Sequence, residues 1–168
     1  MLKQFYPKEY QDSTYEINFE EFYKKGYRGV IFDVDNTLVP HNAPADDKAK
    51  ALFARLKDLG YESCLLSNNK EPRVKLFSEA VVHAGYIFKG GKPSTRGYEA
   101  AMEKMGTNKG NTLFVGDQLF TDVWGANRTG LYSILVKPIN PKEEIQIVLK
   151  RMLEKPVLFF YQRSVRGK

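Results

Sequence analysis

Short apolar runs recur along this chain, and each stops at small, acidic or turn-forming residues. Residues 28–32 end at Asp33, and residues 61–66 end at Ser67-Asn68-Asn69. Residues 111–115 end at Gly116-Asp117-Gln118, and residues 131–136 end at Lys137-Pro138. Runs this short, bounded by polar groups, read as buried strands. Helix-length segments lie between them. Asp46 or Asp47 is placed to cap a helix that ends near Leu59, with Ala51, Leu52, Leu56 and Leu59 on one face and Gly60 as its stop. Residues 71–84 read as a second helix closed by Gly85, followed by a short strand at 86–88. A loop, Gly90-Gly91-Lys92-Pro93, leads to Ser94 or Thr95 as the cap of a third helix reaching about Met105. A further helix is expected from about Thr121 to Asn127, stopped by Gly130. Strands alternating with helices imply βαβ units and a mainly parallel sheet. The expected fold class is therefore α/β, a Rossmann-like three-layer sandwich.

The ends of the chain are read differently. Residues 1–27 are rich in Tyr and Phe, and Phe19, Phe22 and Tyr23 keep an i, i+3, i+4 spacing. They are expected to form a helical lead-in that packs on the sheet. Pro141 is placed to open a last helix to about Lys155, in which Ile145, Val148, Leu149 and Met152 keep helical spacing. Residues 156–168 then form a basic, aromatic tail. From Lys137 onward there are eight basic and three acidic residues, which accounts for most of the net charge of +6. Such a segment favours anionic partners, a membrane surface or nucleic acid, or serves only to keep the chain soluble.

The 168 residues suit a single domain with a real hydrophobic core. No apolar run approaches the ~18 residues of a membrane span. Residues 1–7 lack the apolar stretch of a secretory signal. Cys64 is the one cysteine, which excludes an intrachain disulfide and fits a reducing, cytoplasmic setting.

The chemistry concentrates at the strand ends. Asp33 and Asp35 stand two apart after the first buried run, so in an extended segment they share a side. Like charges that close repel, and one pKa rises unless a cation intervenes. A hard divalent ion takes such carboxylates readily. Asp-x-Asp-Asn is also the composition of a solvated turn. Ser67, Lys92, Asp117 and Asp122, however, also fall at or just after strand ends, where open α/β sheets bind ligands. Together these residues suit phosphoryl transfer: a carboxylate nucleophile, a second carboxylate as acid and base, and a hydroxyl and an ammonium for the phosphoryl oxygens. His41 reads as a solvated loop residue and His83 as a structural residue within a helix.

Asp33-Val-Asp35-Asn36-Thr37-Leu38 resembles the first motif of the haloacid dehalogenase (HAD) superfamily of phosphatases. Ser67 resembles the second motif, Lys92 in Gly-Lys-Pro-Ser the third, and Gly116-Asp117-Gln118-x-x-Thr121-Asp122 the fourth. The forms of the first and fourth motifs are similar to subfamily IIIA and, within it, to the YqeG family, which is related to the HAD-type mitochondrial phosphatidylglycerophosphate phosphatase. The resemblance implies Asp33 as nucleophile and Mg2+ ligand, and Asp35 as general acid/base whose backbone carbonyl meets the metal. It implies Asp117 as a third ligand and Asp122 as the residue that orients the cluster. Ser67, Asn68 and Lys92 would bind the phosphoryl group, with Thr37 in support. The gaps from Leu38 to Ser67 and from Ser67 to Lys92 have no room for a separate cap domain, as in HAD enzymes that act on bulky or macromolecular substrates.

The implied activity is Mg2+-dependent hydrolysis of a phosphate monoester, with phosphatidylglycerophosphate the substrate by analogy. A nucleotide, a sugar phosphate or a nucleic-acid end is the alternative. The implied setting is cytoplasmic, with the basic tail touching the inner membrane face. A second class is an HAD-like binding module that docks RNA or a ribosome through its tail. A third, a phosphoacceptor domain, conflicts with Asp35, which would discharge a phosphoaspartate quickly.

Overall fold

The computed structural model describes residues 1–140 and 145–167. Six strands form one sheet in which every pairing is parallel: β1 (Glu9–Gln11), β2 (Gly29–Phe32), β3 (Glu62–Leu66), β4 (Ala84–Ile87), β5 (Thr112–Gly116) and β6 (Tyr132–Val136). Their order across the sheet is β1-β6-β5-β2-β3-β4. The α-helices among the described residues are α1 (Phe19–Lys24), α2 (Asp47–Leu59), α3 (Glu71–Ala80), α4 (Thr95–Met105), α5 (Trp124–Thr129) and α6 (Ile145–Arg166). The chain winds outward from β2 to β3 and β4, then returns to β5 on the other side of β2. That reversal opens a crevice at the carboxyl end of the sheet between β2 and β5, where α/β folds bind ligands.

Strand alternation builds the two outer layers. Val30, Phe32, Leu65, Leu113 and Val115 face a core completed by Phe19, Phe22, Leu52, Phe53, Leu56, Val74 and Phe77 of α1, α2 and α3. Ile31, Cys64, Leu66 and Phe114 face the opposite way, onto Tyr98, Ala101, Met102 and Met105 of α4 and Ala126 of α5. This is the expected three-layer sandwich. Only α2 and β3 lie between Leu38 and Ser67, and only α3 and β4 between Ser67 and Lys92, so no cap interrupts the layers.

Helix ends follow local chemistry. The Asp46 carboxylate accepts from the Ala49 N–H at 2.9 Å and caps α2, which Gly60 ends in the left-handed conformation. Ser94 caps α4. α3 ends at Ala80, earlier than expected, because Val81 turns extended and His83 takes φ 56°. Gly85 is thus a residue of β4 rather than a helix cap, and His83 lies outside the helix, 2.9 Å from the Glu62 carboxylate. Before α5, residues Leu119–Val123 form a wide π-type turn.

Two expectations are corrected at the chain ends. The lead-in of residues 1–27 is not wholly helical: β1 pairs with β6 and forms the edge of the sheet. Three residues are too few to display alternation, so β1 left no periodic signal. At the other end the helix does not stop at Lys155, and 156–166 is not a separate tail. α6 runs through Pro156 to Arg166. Proline removes an intrahelical hydrogen bond, at a cost of about 3 kcal/mol. Burial of Val157 and Tyr161 beyond it offsets that loss, with the Tyr161 ring edge-on to Tyr6 at 5.4 Å. Pro141, expected to open this helix, lies outside the described residues, as does the side chain of Ile145.

One close approach sets the loop that carries Lys92. A Cβ at Gly97 would stand 2.7 Å from the Gly90 carbonyl oxygen, so α4 lies directly against the Gly90-Gly91-Lys92 backbone. Gly97→Ala is expected to destabilise the fold by roughly 1–3 kcal/mol and to lower turnover by displacing that loop. Urea unfolding and steady-state kinetics on the same preparation check both effects.

Candidate active site

The crevice is lined by Asp33, Asp35, Asn36, His41, Ser67, Asn68, Lys92, Gln118 and Thr121 and has a volume of about 570 Å³. Asp33 follows β2 directly, and its N–H bonds the Val115 carbonyl of β5 at 2.9 Å. Its carboxylate is buried. Oδ1 accepts from Lys92 Nζ at 2.8 Å, and Oδ2 accepts from the Thr37 hydroxyl at 3.1 Å. Lys92 Nζ also donates to Asp122 Oδ1 at 2.6 Å. Asp122 Oδ2 accepts from the N–H groups of Asp117 and Gln118, both at 3.1 Å, so one carboxylate ties the turn after β5 to the lysine.

Asp33, Asp117 and Asp122 each offer a buried carboxylate oxygen, and these atoms lie within 4.8 Å of one another. Burial, then the charges of Asp122 and Asp117, hold the Asp33 carboxyl well above its usual range, although Lys92 pulls it back. Burial and the Asp122 charge push Asp117 up to about 6. Burial alone would lower the pKa of Lys92, but the charges of Asp122 and Asp33 outweigh it and keep the ammonium charged. Three carboxylates thus face two cations, Lys92 and Arg151. The surplus negative charge and the hard oxygen donors fit a divalent metal ion.

Asp35 is handled separately. Its carboxylate is not part of the buried trio. Its Oδ1 accepts from the Asn42 N–H at 2.7 Å and from Arg73 Nη2 at 3.0 Å, with His41 Nδ1 at 3.9 Å. The expected repulsion between Asp33 and Asp35 is resolved by a different cation for each, Lys92 and Arg73. Asn36 makes this possible by taking the left-handed conformation, φ 61°, which asparagine tolerates. Ser67 lines the crevice, and its Oγ accepts from the Asn69 N–H at 3.0 Å. Asn68 grips the lysine loop: its carboxamide oxygen accepts from the Lys92 N–H at 2.9 Å, and its amide donates to the Lys92 carbonyl at 3.1 Å.

Sequence reasoning missed Arg73 and Arg151, and set His41 aside as a solvated loop residue although it lines the crevice. Arg151 of α6 donates to the carbonyl and to Oδ2 of Asp117. Glu154, one turn on, is buried and accepts from the Leu119 N–H at 2.9 Å. The signal available was a pair of opposite charges on the same stripe of α6 as Val157 and Tyr161, where an apolar pair is the norm. Arg73 left no such trace, because its partnership with Asp35 is set only by how α3 packs.

Comparison with known proteins agrees with this geometry. Residues 90–139 match a family described as "HAD-hyrolase-like". The chain is 35% identical to "Probable phosphatase YqeG" of Bacillus subtilis (strain 168), over 98% of this chain and 96% of that protein. The chain belongs to the YqeG family of HAD-type phosphatases. Members of this superfamily are in general metal-dependent, consistent with the buried aspartate trio. The chain is also 28% identical to the "Phosphatidylglycerophosphate phosphatase 1, chloroplastic/mitochondrial" of Arabidopsis thaliana, over 84% of this chain but only 44% of that protein. The solved structure of NagD from E. coli K-12 shares the fold, with a TM-score of 0.56 and 16% identity over 73% of this chain and 91% of that one.

The raised carboxyl groups set a pH dependence. A carboxylate whose pKa is higher in the folded state binds protons more tightly there, so its contribution to stability is present at low pH and lost as pH rises. Without metal, stability is expected to fall between about pH 4 and about pH 6, the range between the ordinary pKa of Asp117 in the unfolded chain and its raised value in the fold. Added Mg2+ is expected to restore stability above that range and to do little below it. Thermal melts in chelator and in Mg2+ across the range check this.

Proposed function

We propose that this site hydrolyses phosphate monoesters through an aspartyl-phosphate on Asp33, with Mg2+ held by Asp33, Asp117 and the backbone carbonyl of Asp35, and with Asp122 orienting the cluster. The observation that carries the reading is the position of Asp33: buried at the floor of the crevice, with Lys92 on one carboxylate oxygen and Thr37 on the other. Mg2+, when bound, would offset the charge of the carboxylates and of the phosphoryl oxygens. Asp33 attacks phosphorus as the ester oxygen departs, and Asp35 protonates that oxygen. Asp35 then removes a proton from water, whose oxygen attacks phosphorus. Phosphate leaves, and the Asp33 carboxylate is regenerated. Lys92 and Ser67 hold phosphoryl oxygens during both transfers. Arg73, 3.0 Å from Asp35 Oδ1, holds that carboxyl in position.

For substrate, we propose a phosphate monoester on a lipid, phosphatidylglycerophosphate being the instance suggested by the name of the Arabidopsis relative. A crevice without a cap also favours a substrate too large to be enclosed. The test is phosphate release from an aryl phosphate, nucleotides, sugar phosphates, a 5′-phosphorylated oligonucleotide and phosphatidylglycerophosphate, with and without Mg2+. Asp33→Asn is expected to lower kcat about a thousandfold or more, and Asp35→Asn by roughly 10²–10⁴. The best substrate is expected to be the lipid. Turnover that survives Asp33→Asn would overturn the mechanism. No turnover on any substrate would leave a binding module as the better account.

A further inference from the structure

α6 presents two unlike faces. The inner stripe carries Arg151, Glu154, Val157 and Tyr161 against the site and the sheet edge. The outer stripe carries Val148, Leu149, Met152, Leu153, Phe159 and Phe160, which are 40%, 56%, 58%, 68%, 59% and 49% exposed. With Val165, these make seven of the twelve large apolar side chains exposed among the described residues. The expected apolar spacing of this helix is therefore present, but Val148, Leu149 and Met152 point away from the core. Lys155, Arg163 and Arg166 are exposed around the same stripe. The only acidic residue between Ile147 and Arg166 is Glu154, which is buried with its carboxylate on the Leu119 N–H. The outward surface of this segment is apolar and cationic, without a compensating acid.

We propose that the outer face of α6 docks in the plane of an anionic lipid bilayer and brings the mouth of the active site to the lipid surface. The apolar stripe enters the interface while the Lys and Arg side chains meet anionic headgroups, the division of labour of an interfacial amphipathic helix. No helix among the described residues is long and apolar enough to cross a membrane, so α6 lies on the surface. Nucleic acid offers phosphates to the cations but nothing to Leu149, Met152 and Leu153. A second copy of the chain, paired face to face about a two-fold axis, would set these cations against their own counterparts with no acid between them. Ile147 and Lys150, on the inner stripe at the start of the same helix, line the catalytic crevice, so the docked helix begins at the crevice mouth. The benefit of that placement rests on the phosphatase reading, since it presents the site to a phosphate monoester in a headgroup; the docking does not.

The test is flotation of the full chain with vesicles of phosphatidylcholine alone or with about one-third phosphatidylglycerol, alongside turnover of a soluble aryl phosphate. The wild-type chain is expected to float with the anionic vesicles and at least about tenfold less with the zwitterionic ones. Leu153→Glu combined with Phe159→Glu is expected to reduce flotation about tenfold or more with aryl phosphate turnover unchanged, which also shows that the variant is folded. Leu153→Trp is expected to show a blue-shifted emission on anionic vesicles only. Wild-type protein that stays unbound at low salt, or a double variant that floats as well as wild type, would overturn the proposal. So would tighter binding to an RNA homopolymer than to vesicles, or a wild-type dimer in solution that the double variant dissolves. Absence of aryl phosphate turnover in the wild-type chain would count against the phosphatase reading alone, because flotation is read separately.

Discussion

The interaction on which the site depends is the contact of Lys92 with Asp33 and Asp122. All three groups are buried, and each would be costly to bury alone. Placed together at the end of β2, they link three segments that are distant in sequence: the end of a central strand, the loop before α4 and the turn after β5. Removing the lysine would leave two buried carboxylates beside a third, Asp117, which is paired with Arg151, a change of the kind that costs about 3–5 kcal/mol. On the proposed mechanism, stability and chemistry draw on the same contact, since the ammonium that balances the carboxylates is the group proposed to receive phosphoryl oxygens.

The parts around this contact serve to hold it in place. Gly97 lets α4 approach the Gly90 carbonyl, and the Asn68 carboxamide grips the Lys92 backbone on both its N–H and its C=O. Asp122 accepts two backbone N–H groups and so fixes the turn that carries Asp117. From the far side, α6 reaches Asp117 through Arg151 and the Leu119 N–H through Glu154. The helix that closes the sheet edge is therefore also connected to the acidic cluster. Its exposed apolar side chains are left on the outward face of the same helix.

Much of this was legible in the residues. Asp33, Lys92, Asp117 and Asp122 were recognised from their places after apolar runs, because a parallel sheet brings strand ends to one edge whatever the details of packing. β1 was not legible, since three residues with one large apolar side chain carry no period. The end of α3 was misjudged because Gly85 resembles a helix stop, whereas the turn is made by Val81 and by the left-handed His83. α6 was cut short at Pro156 because proline argues against helix continuation; only the burial of Val157 and Tyr161 explains why the helix continues.

The sequence by itself determined the α/β class, the absence of room for a cap and the set of acidic, hydroxyl and amine groups available for phosphoryl transfer. These depend on strand and helix periodicity and on chain length between motifs, both local properties. The tertiary structure alone decided how the charges are paired: Lys92 with Asp33 and Asp122, Arg73 with Asp35, Arg151 with Asp117. It also decided which stripe of α6 faces inward. The inward stripe carries Arg151 and Glu154, and the more apolar stripe faces out. Hydrophobic spacing marks a helix and its faces, but it does not say which of two faces meets the core when the inner one is held by buried ion pairs and backbone hydrogen bonds.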